Sequence, residues 1–316
     1  PATVKPSPTT RPISAAVDPT SCRLPVVVMR ESGPPGQIAT EPGFVDTRTG
    51  QYTKDGAASI AGLPGGGFEG TDVKPSQPSA PVWYDEVAKR WLPVGPALVA
   101  PDGRSYVWVR LLPPGSNISD FKQAELHRHD LTRSADQRLW TYPGSIMVSR
   151  WDASGIIVDT VPPPPTGGLQ LQWLIDPRTG AATRQPASNA PSGPTELPGD
   201  RRNGSFAWGS FGSDAQGHTL YRIGSRTPGD QEWIFYESAP GQRVTIYKGA
   251  QGDATGFDPF QAVGDKTGIW FSDYETHGIW HWDSRTSLKK IVVKGLPNQL
   301  PGPNSAVYVN PAGQCM

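Results

Sequence analysis

The chain has 316 residues, of which 36 are Gly, 35 Pro and 11 Trp, with 18% charged residues and 29 basic side chains against 29 acidic ones. So much Pro and Gly excludes long helices and suits short strands with frequent turns, and a net charge of zero supplies no field to draw nucleic acid, so no nucleic-acid partner is expected. No stretch approaches the roughly 20 apolar residues of a membrane helix, so no membrane span is expected either.

In chain order, the first 21 residues, PATVKPSPTTRPISAAVDPTS, are rich in Pro, Thr, Ser and Ala. This composition favours an extended, polyproline-like tail with no core of its own. A chain that starts at Pro1 rather than Met reads as a processed, exported form. The tail is expected to act as a stalk, to dock along its own propeller, or to add as a strand to the sheet edge of another copy; a head-to-tail contact that does not close builds a filament.

From residue 22 onward one unit recurs. An aliphatic or aromatic run, an Asp, a few turn residues and a second run appear at FVDTRTGQYT (44–53), WYDEVAKRWLPV (83–94), LHRHDLTRSADQRLW (126–140) and LIDPRTGAATR (174–184). Its fullest statement is GIWFSDYETHGIWHWDSRTSLKKIVV (268–293), and a short form closes the chain at VYVNPAGQC (307–315). Between these lie Asp-Gly turns followed by strands, at ALVAPDGRSYVWV (97–109), SRWDASGIIV (149–158), SDAQGHTLYRI (213–223) and AVGDKTGIWF (262–271). Asp offers local hydrogen bonds and Gly accepts positive φ, as hairpin turns require. A repeat of roughly 40 to 60 residues made of four short strands is the blade of a β-propeller.

The run APDGRSYV at 100–107 resembles the Ser-Pro-Asp-Gly turn of TolB-type and related WD-like propeller repeats, and Leu174 to Gly180 is similar to the strand and turn that follow it there. The resemblance covers most of residues 25–315 as a repeat rhythm and is closest at 97–142. It implies the fold and leaves the activity open, because propellers host many functions.

The expected fold is therefore all-β: a single β-propeller over residues 22–316, with about six four-stranded blades, five and seven being the alternatives. Blades are placed at 97–142, 145–185, 205–248 and 256–293, with a further hairpin at 82–94. The last blade is composite, its strands at 306–309, 26–29, 44–47 and 51–54 pairing the two ends of the chain. Gly-, Pro- and Ser-rich loops are placed at 64–81, 162–168 and 186–204.

Cys22 and Cys315, the two cysteines, bracket the repeats, so this closure would bring them together. A disulfide there would clamp the ring by an amount on the order of 5 kcal/mol and would place the protein in an oxidising compartment, outside the cell or on its surface.

Sequence motifs for catalysis are absent: no Gly-x-Ser-x-Gly elbow, no phosphate-binding glycine loop before a helix and no Cys-x-x-Cys pair occurs. No catalytic residue and no cofactor are expected, and the protein does not read as an enzyme. Three constellations remain. His127 and His129, two apart on a strand, share a face and have the spacing of a metal pair; two ligands are not a site, His218, His277 and His281 would join them only if the fold brings distant blades together, and polar strand residues explain the pair. Trp270, Trp280 and Trp282 with Tyr274 and His277 form a candidate aromatic platform for a sugar, the competing reading being packing between blades. Asp46, Asp85, Asp130, Asp176 and Asp283 recur where strands end, which fits turn hydrogen bonding better than a ring of ligands. Asn117 and Asn203 head Asn-x-Ser sequons, where a glycosylating host would add glycans.

The function expected from these features is a secreted or cell-surface propeller that serves as an interaction or structural module for protein partners, among them further copies bound through residues 1–21. The alternative is a propeller that binds or hydrolyses a glycan or small molecule at its axial mouth.

Overall fold

Local turn chemistry sets the strand ends. Asp46 Oδ1 accepts the backbone N–H groups of Arg48 at 3.0 Å and Thr49 at 2.8 Å, and the Gly50 N–H donates to the Asp46 carbonyl at 2.8 Å. The DPRTG turn repeats this geometry, with Asp176 Oδ1 accepting from Arg178 at 2.7 Å and Thr179 at 3.0 Å. Asp85 does the same for Val87 and Ala88, and Asp130 for Thr132 and Arg133. Thr132, through its hydroxyl first and then its N–H, and Arg133 pull the Asp130 carboxyl down to about 2. The recurring aspartates at these four positions are thus turn formers.

The fifth residue of each turn is left-handed, with φ of 74° at Gly50 and Gly180, 53° at Lys89 and 52° at Ser134. Gly reaches this region without the steric cost that a Cβ incurs, about 1–2 kcal/mol. Lys89→Gly and Ser134→Gly should each raise stability by about 0.5 kcal/mol, the relief of strain exceeding the extra entropy of the unfolded chain. An upward shift of the urea midpoint at constant slope would show it. Gly50→Ala and Gly180→Ala should do the opposite and by more. A Cβ at Gly50 would sit 2.2 Å from the Val292 carbonyl oxygen, and one at Gly180 2.1 Å from that of Leu139.

The structure is a computed structural model and describes residues 21–31, 38–60, 62–65, 82–112, 122–161, 171–186, 206–225, 231–250, 259–273, 278–283, 288–297 and 307–316. The expectations for the tail at 1–20, for Tyr274 and His277 and for Asn117 and Asn203 lie outside them. The described residues form 21 strands and one three-residue 3-10 turn, with no α-helix among them, so the chain is all-β. They fall into two compact units, one from residues 58–186 and the other from 21–57 with 206–316.

In the first unit, β4 (Trp83–Asp85) pairs with β5 (Arg90–Leu92). Next come β6 (Ser105–Leu112), β7 (Gln123–Asp130) and β8 (Ala135–Tyr142), and then β9 (Ser145–Asp152), β10 (Gly155–Val161), β11 (Leu171–Ile175) and β12 (Ala182–Arg184). The β9–β12 sheet is the expected four-stranded antiparallel meander, the repeating unit of a propeller. The 97–142 segment instead gives a three-stranded sheet, β6-β7-β8. Its expected first strand is the 3-10 turn Pro96–Leu98 followed by a single bridge from Val99 to Tyr106. Pro96 and Pro101 lack N–H groups and bracket too few residues for a ladder. Apolar residues from successive sheets meet between them, Val107, Leu111 and Leu126 packing with Ile146, Val148, Ile156 and Ile175.

In the second unit, β21 (Val307–Pro311), β1 (Arg23–Glu31), β2 (Ile38–Asp46) and β3 (Tyr52–Lys54) form one antiparallel sheet in that order. The register runs from Val26 opposite Pro311 to Arg30 opposite Val307, so strands from the two ends of the chain do pair. The strands β13 (Phe206–Ser213), β14 (Thr219–Ser225), β15 (Gln231–Ala239) and β16 (Gln242–Ala250) form a second meander. A third comprises β17 (Pro259–Asp265), β18 (Gly268–Asp273), β19 (Gly278–Trp282) and β20 (Lys289–Val292).

These two meanders, expected as separate blades, are joined into one eight-stranded sheet by a parallel contact of Gly212 with Ala262 and Ser213 with Val263. A bulge at Ser210/Gly212 brings the backbones together, and a Cβ at Gly212 would lie 2.2 Å from the Ala262 carbonyl oxygen. The strands β18 and β19 bury both faces. Trp270 and Ile279 face the core shared with Leu24, Val26 and Val309, while Ile269, Phe271, Trp280 and Trp282 face Leu220 and Ile234.

Candidate functional site

The pairing of the two chain ends in the second unit is built around two buried groups, the Cys22–Cys315 disulfide and Asp265. The cysteines' Cα atoms lie 5.7 Å apart across a sequence separation of 293 residues. Beside the bridge the Cys22 N–H donates to Thr47 Oγ1 at 3.0 Å, and the Thr47 hydroxyl donates back to the Cys22 carbonyl at 3.1 Å. Arg23 and Met316 exchange both backbone hydrogen bonds, at 3.0 and 3.1 Å. Asp265, 2% exposed, ends β17. Its Oδ2 accepts the Cys315 N–H at 2.8 Å and Trp270 Nε1–H at 2.9 Å, and its Oδ1 accepts the Thr267 N–H at 2.7 Å and the Thr267 hydroxyl at 2.5 Å. Having donated to Asp265, that hydroxyl accepts from His281 Nε2–H at 3.3 Å. The His281 ring lies 4.0 Å from the Trp270 ring, and burial lowers its pKa against the pull of Asp265 and Asp283.

On the same unit a cleft of about 550 Å³ opens between the β13–β14 turn, β15 and the β17–β18 turn. The turn aspartate Asp214 is buried and accepts the N–H groups of Gln216 at 3.0 Å and His218 at 2.7 Å. Its other oxygen meets His218 Nδ1 at 2.7 Å, so Nδ1 carries a proton toward Asp214 and Nε2 is left for the cleft. The half-buried His218 ring is parallel to that of Tyr236 within 8° at 5.4 Å, and Tyr236 stands edge-on to Trp282 at 6.2 Å. Burial raises the Tyr236 phenol, with the Asp214 charge adding to the effect.

The first unit holds the expected histidine pair. His127 and His129 do share a face, but β7 is the central strand of its sheet and both rings are buried. His127 stacks on Trp108 at 4.5 Å, and its Nδ1 lies 2.7 Å from Asp136 Oδ2 and its Nε2 3.2 Å from Glu125 Oε2. Burial pulls the Glu125 carboxyl upward, but hydrogen bonds from His127 and Arg138 outweigh it and hold the group below its ordinary range. His129 packs against Tyr106, and neither of its ring nitrogens has a hydrogen bond. Among the described residues no group of three or more His, Cys, Asp or Glu side chains is placed to hold a metal ion.

Burial lowers the pKa of His129, with Asp136 opposing and Arg90 assisting. A histidine whose folded pKa is depressed contributes stability that is complete above its unfolded value of about 6.5 and is lost as pH falls below it. Replacing the ring by Phe removes two buried nitrogens that lack hydrogen bonds, at the loss of the long 3.9 Å approach of Nδ1 to Asp136 Oδ1. His129→Phe is therefore expected to raise stability at neutral pH by about 1–2 kcal/mol and to retain that gain, or enlarge it, at about pH 5. Thermal melts at both pH values would check this, and a destabilised variant would show that His129 has a partner.

The remaining expectations separate. Trp270 is fully buried, and Trp280 and Trp282 are each 8% exposed, so the three do not form an open platform. Both faces of their strands are covered, and Trp270 is held from Asp265. Only Trp282 reaches the cleft. The aromatic surface there comes instead from Tyr236, which no sequence motif marks, and His218, expected only as a distant partner for His127 and His129; a His four residues after the Asp of an Asp-Gly turn is the local signal.

No family model and no curated protein matches the chain. Among solved structures it is similar to the β-propeller domain of the trilobed protease from Pyrococcus furiosus, at 12% identity over 87% of this chain and 86% of that one, with a TM-score of 0.38. It is also similar to TolB from Acinetobacter baumannii, at 11% identity over 95% of this chain and 69% of that one, TM-score 0.36. The third is oligogalacturonate lyase from Vibrio parahaemolyticus, at 9% identity over 68% of this chain and 65% of that one, TM-score 0.35.

Proposed function

We propose that the chain is an exported, non-enzymatic β-propeller that acts as an interaction module, its sheets arranged as six blades of one domain over residues 22–316. The observation that carries this reading is the closure: strands from both ends pair, a disulfide joins them, and Asp265 fastens the Cys315 backbone to the neighbouring sheet. Such a bridge suits an oxidising compartment, outside the cell or at its surface. Carboxylates spent on turns and closure support a structural use of the fold, whose rigid sheets hold turns and loops for protein partners. Residues 1–21 serve as a strand added to another copy, which assembles a filament. Asn117 and Asn203 carry glycans in a host that attaches them.

Light scattering on the purified full chain and on residues 22–316 tests the assembly. Large particles that vanish on removal of residues 1–21 are expected. Monomers in both preparations would overturn the role of the tail and favour the rival reading, a propeller that binds or hydrolyses a glycan or small molecule at its axial mouth.

A further inference from the structure

The cleft beside Asp214 shares Asp265 and Thr267 with the fastening of Cys315, and its composition is selective. Its volume falls in the range of small-molecule sites, roughly 300–1,000 Å³, but its lining is mostly polar, which disfavours an apolar occupant that would have to strip water from it. Carboxylates outnumber amines, with Asp214, Asp265 and Asp283 against Lys266, which disfavours an anion such as a phosphate or a uronate.

A cation is a weaker match than those charges imply. Asp214 already accepts three hydrogen bonds and Asp265 four, all from the chain itself. Their lone pairs are largely committed, so neither carboxylate is offered to a ligand. What the cleft presents is the outward Nε2 of His218, the exposed Gln216 and Ser238, and the ring of Tyr236, with the Trp282 ring at right angles to it. Acceptors and donors set beside aromatic rings match a molecule that carries many hydroxyls on an apolar ring face.

We propose that this cleft binds a neutral saccharide, one hydroxyl donating to His218 Nε2 and one ring face lying against Tyr236. The site goes beyond the interaction reading and does not use the tail, so either can fail without the other.

Calorimetric titration of the full chain with cellotriose, xylotriose, maltotriose and tri-N-acetylchitotriose, with trigalacturonate as the anionic comparison, tests it. Saturable binding of at least one neutral trisaccharide at millimolar concentration or below is expected, with trigalacturonate weaker. Tyr236→Ala should reduce that affinity by about tenfold or more. Because Tyr236 also packs in the core, Ser238→Lys, at an exposed position on the cleft wall, is the second variant; it should abolish binding while the melting temperature stays unchanged. The proposal is overturned if no neutral trisaccharide binds, if trigalacturonate binds more tightly, or if binding survives Ser238→Lys.

Discussion

Replacing both Cys22 and Cys315 by Ser is expected to lower the stability of the protein by about 5 kcal/mol. The magnitude follows from the loop the bridge closes: with a separation of 293 residues, the chain-entropy cost of the unlinked unfolded state is near the top of the range for single disulfides. The folded state should change little. β1 and β21 stay paired over five positions, and Thr47 and Asp265 still hold the backbone on either side. The effect is therefore carried by the unfolded chain, which also predicts a steeper dependence on urea, because an unlinked chain exposes more surface. Urea unfolding of the parent and the double variant measures both quantities. A loss below about 1 kcal/mol at unchanged slope would mean that the bridge does not restrain the unfolded ensemble as this account requires.

Asp265→Ala is expected to cost about 3–5 kcal/mol, by the opposite route. Here the folded state is damaged, since four donors lose their acceptor inside the protein: the N–H groups of Thr267 and Cys315, Trp270 Nε1–H and the Thr267 hydroxyl. Each unsatisfied buried group costs about 1–3 kcal/mol, and neighbours that relax together share part of the loss. Asp265→Asn keeps the shape and one acceptor oxygen but aims an amide at one pair of donors, so an intermediate loss is expected. Because Asp265 and the disulfide fasten the same residue, Cys315, the two perturbations should not add. A double-mutant cycle should return a coupling of about 1 kcal/mol or more, and strict additivity would separate the two fastenings.

What could be read from the sequence was whatever depends on local chemistry. The Asp-initiated turns, the strand pairing of residues 26–29 with the chain end and the Cys22–Cys315 bridge all follow from residue type, rhythm and bracketing position, and all are present. The misreadings came where one residue type serves two ends. Pro96 and Pro101 stood in an otherwise fluent repeat and removed a strand from it. The segments 205–248 and 256–293 were expected as separate blades, but the missing side chain of Gly212 lets the two meanders join edge to edge. For Trp270, Trp280 and Trp282 a platform and packing between blades both stood open, because period-2 alternation tells which residues share a face and not whether that face is covered. The cleft escaped because it assembles Asp214, Tyr236 and Asp265 from three separate turns and strands, and nothing in any one segment marks them as neighbours.

The closure also decides how the molecule carries load. Cys22 is the first residue before β1 and Cys315 lies just past β21, with their Cα atoms 5.7 Å apart. A pull applied through residue 21 and resisted at residue 316 therefore runs across one covalent bond and bypasses the ladders, which would otherwise unzip one hydrogen bond at a time. Tension drawn between these two points would stretch the connection and leave the β1–β21 ladder between them unloaded.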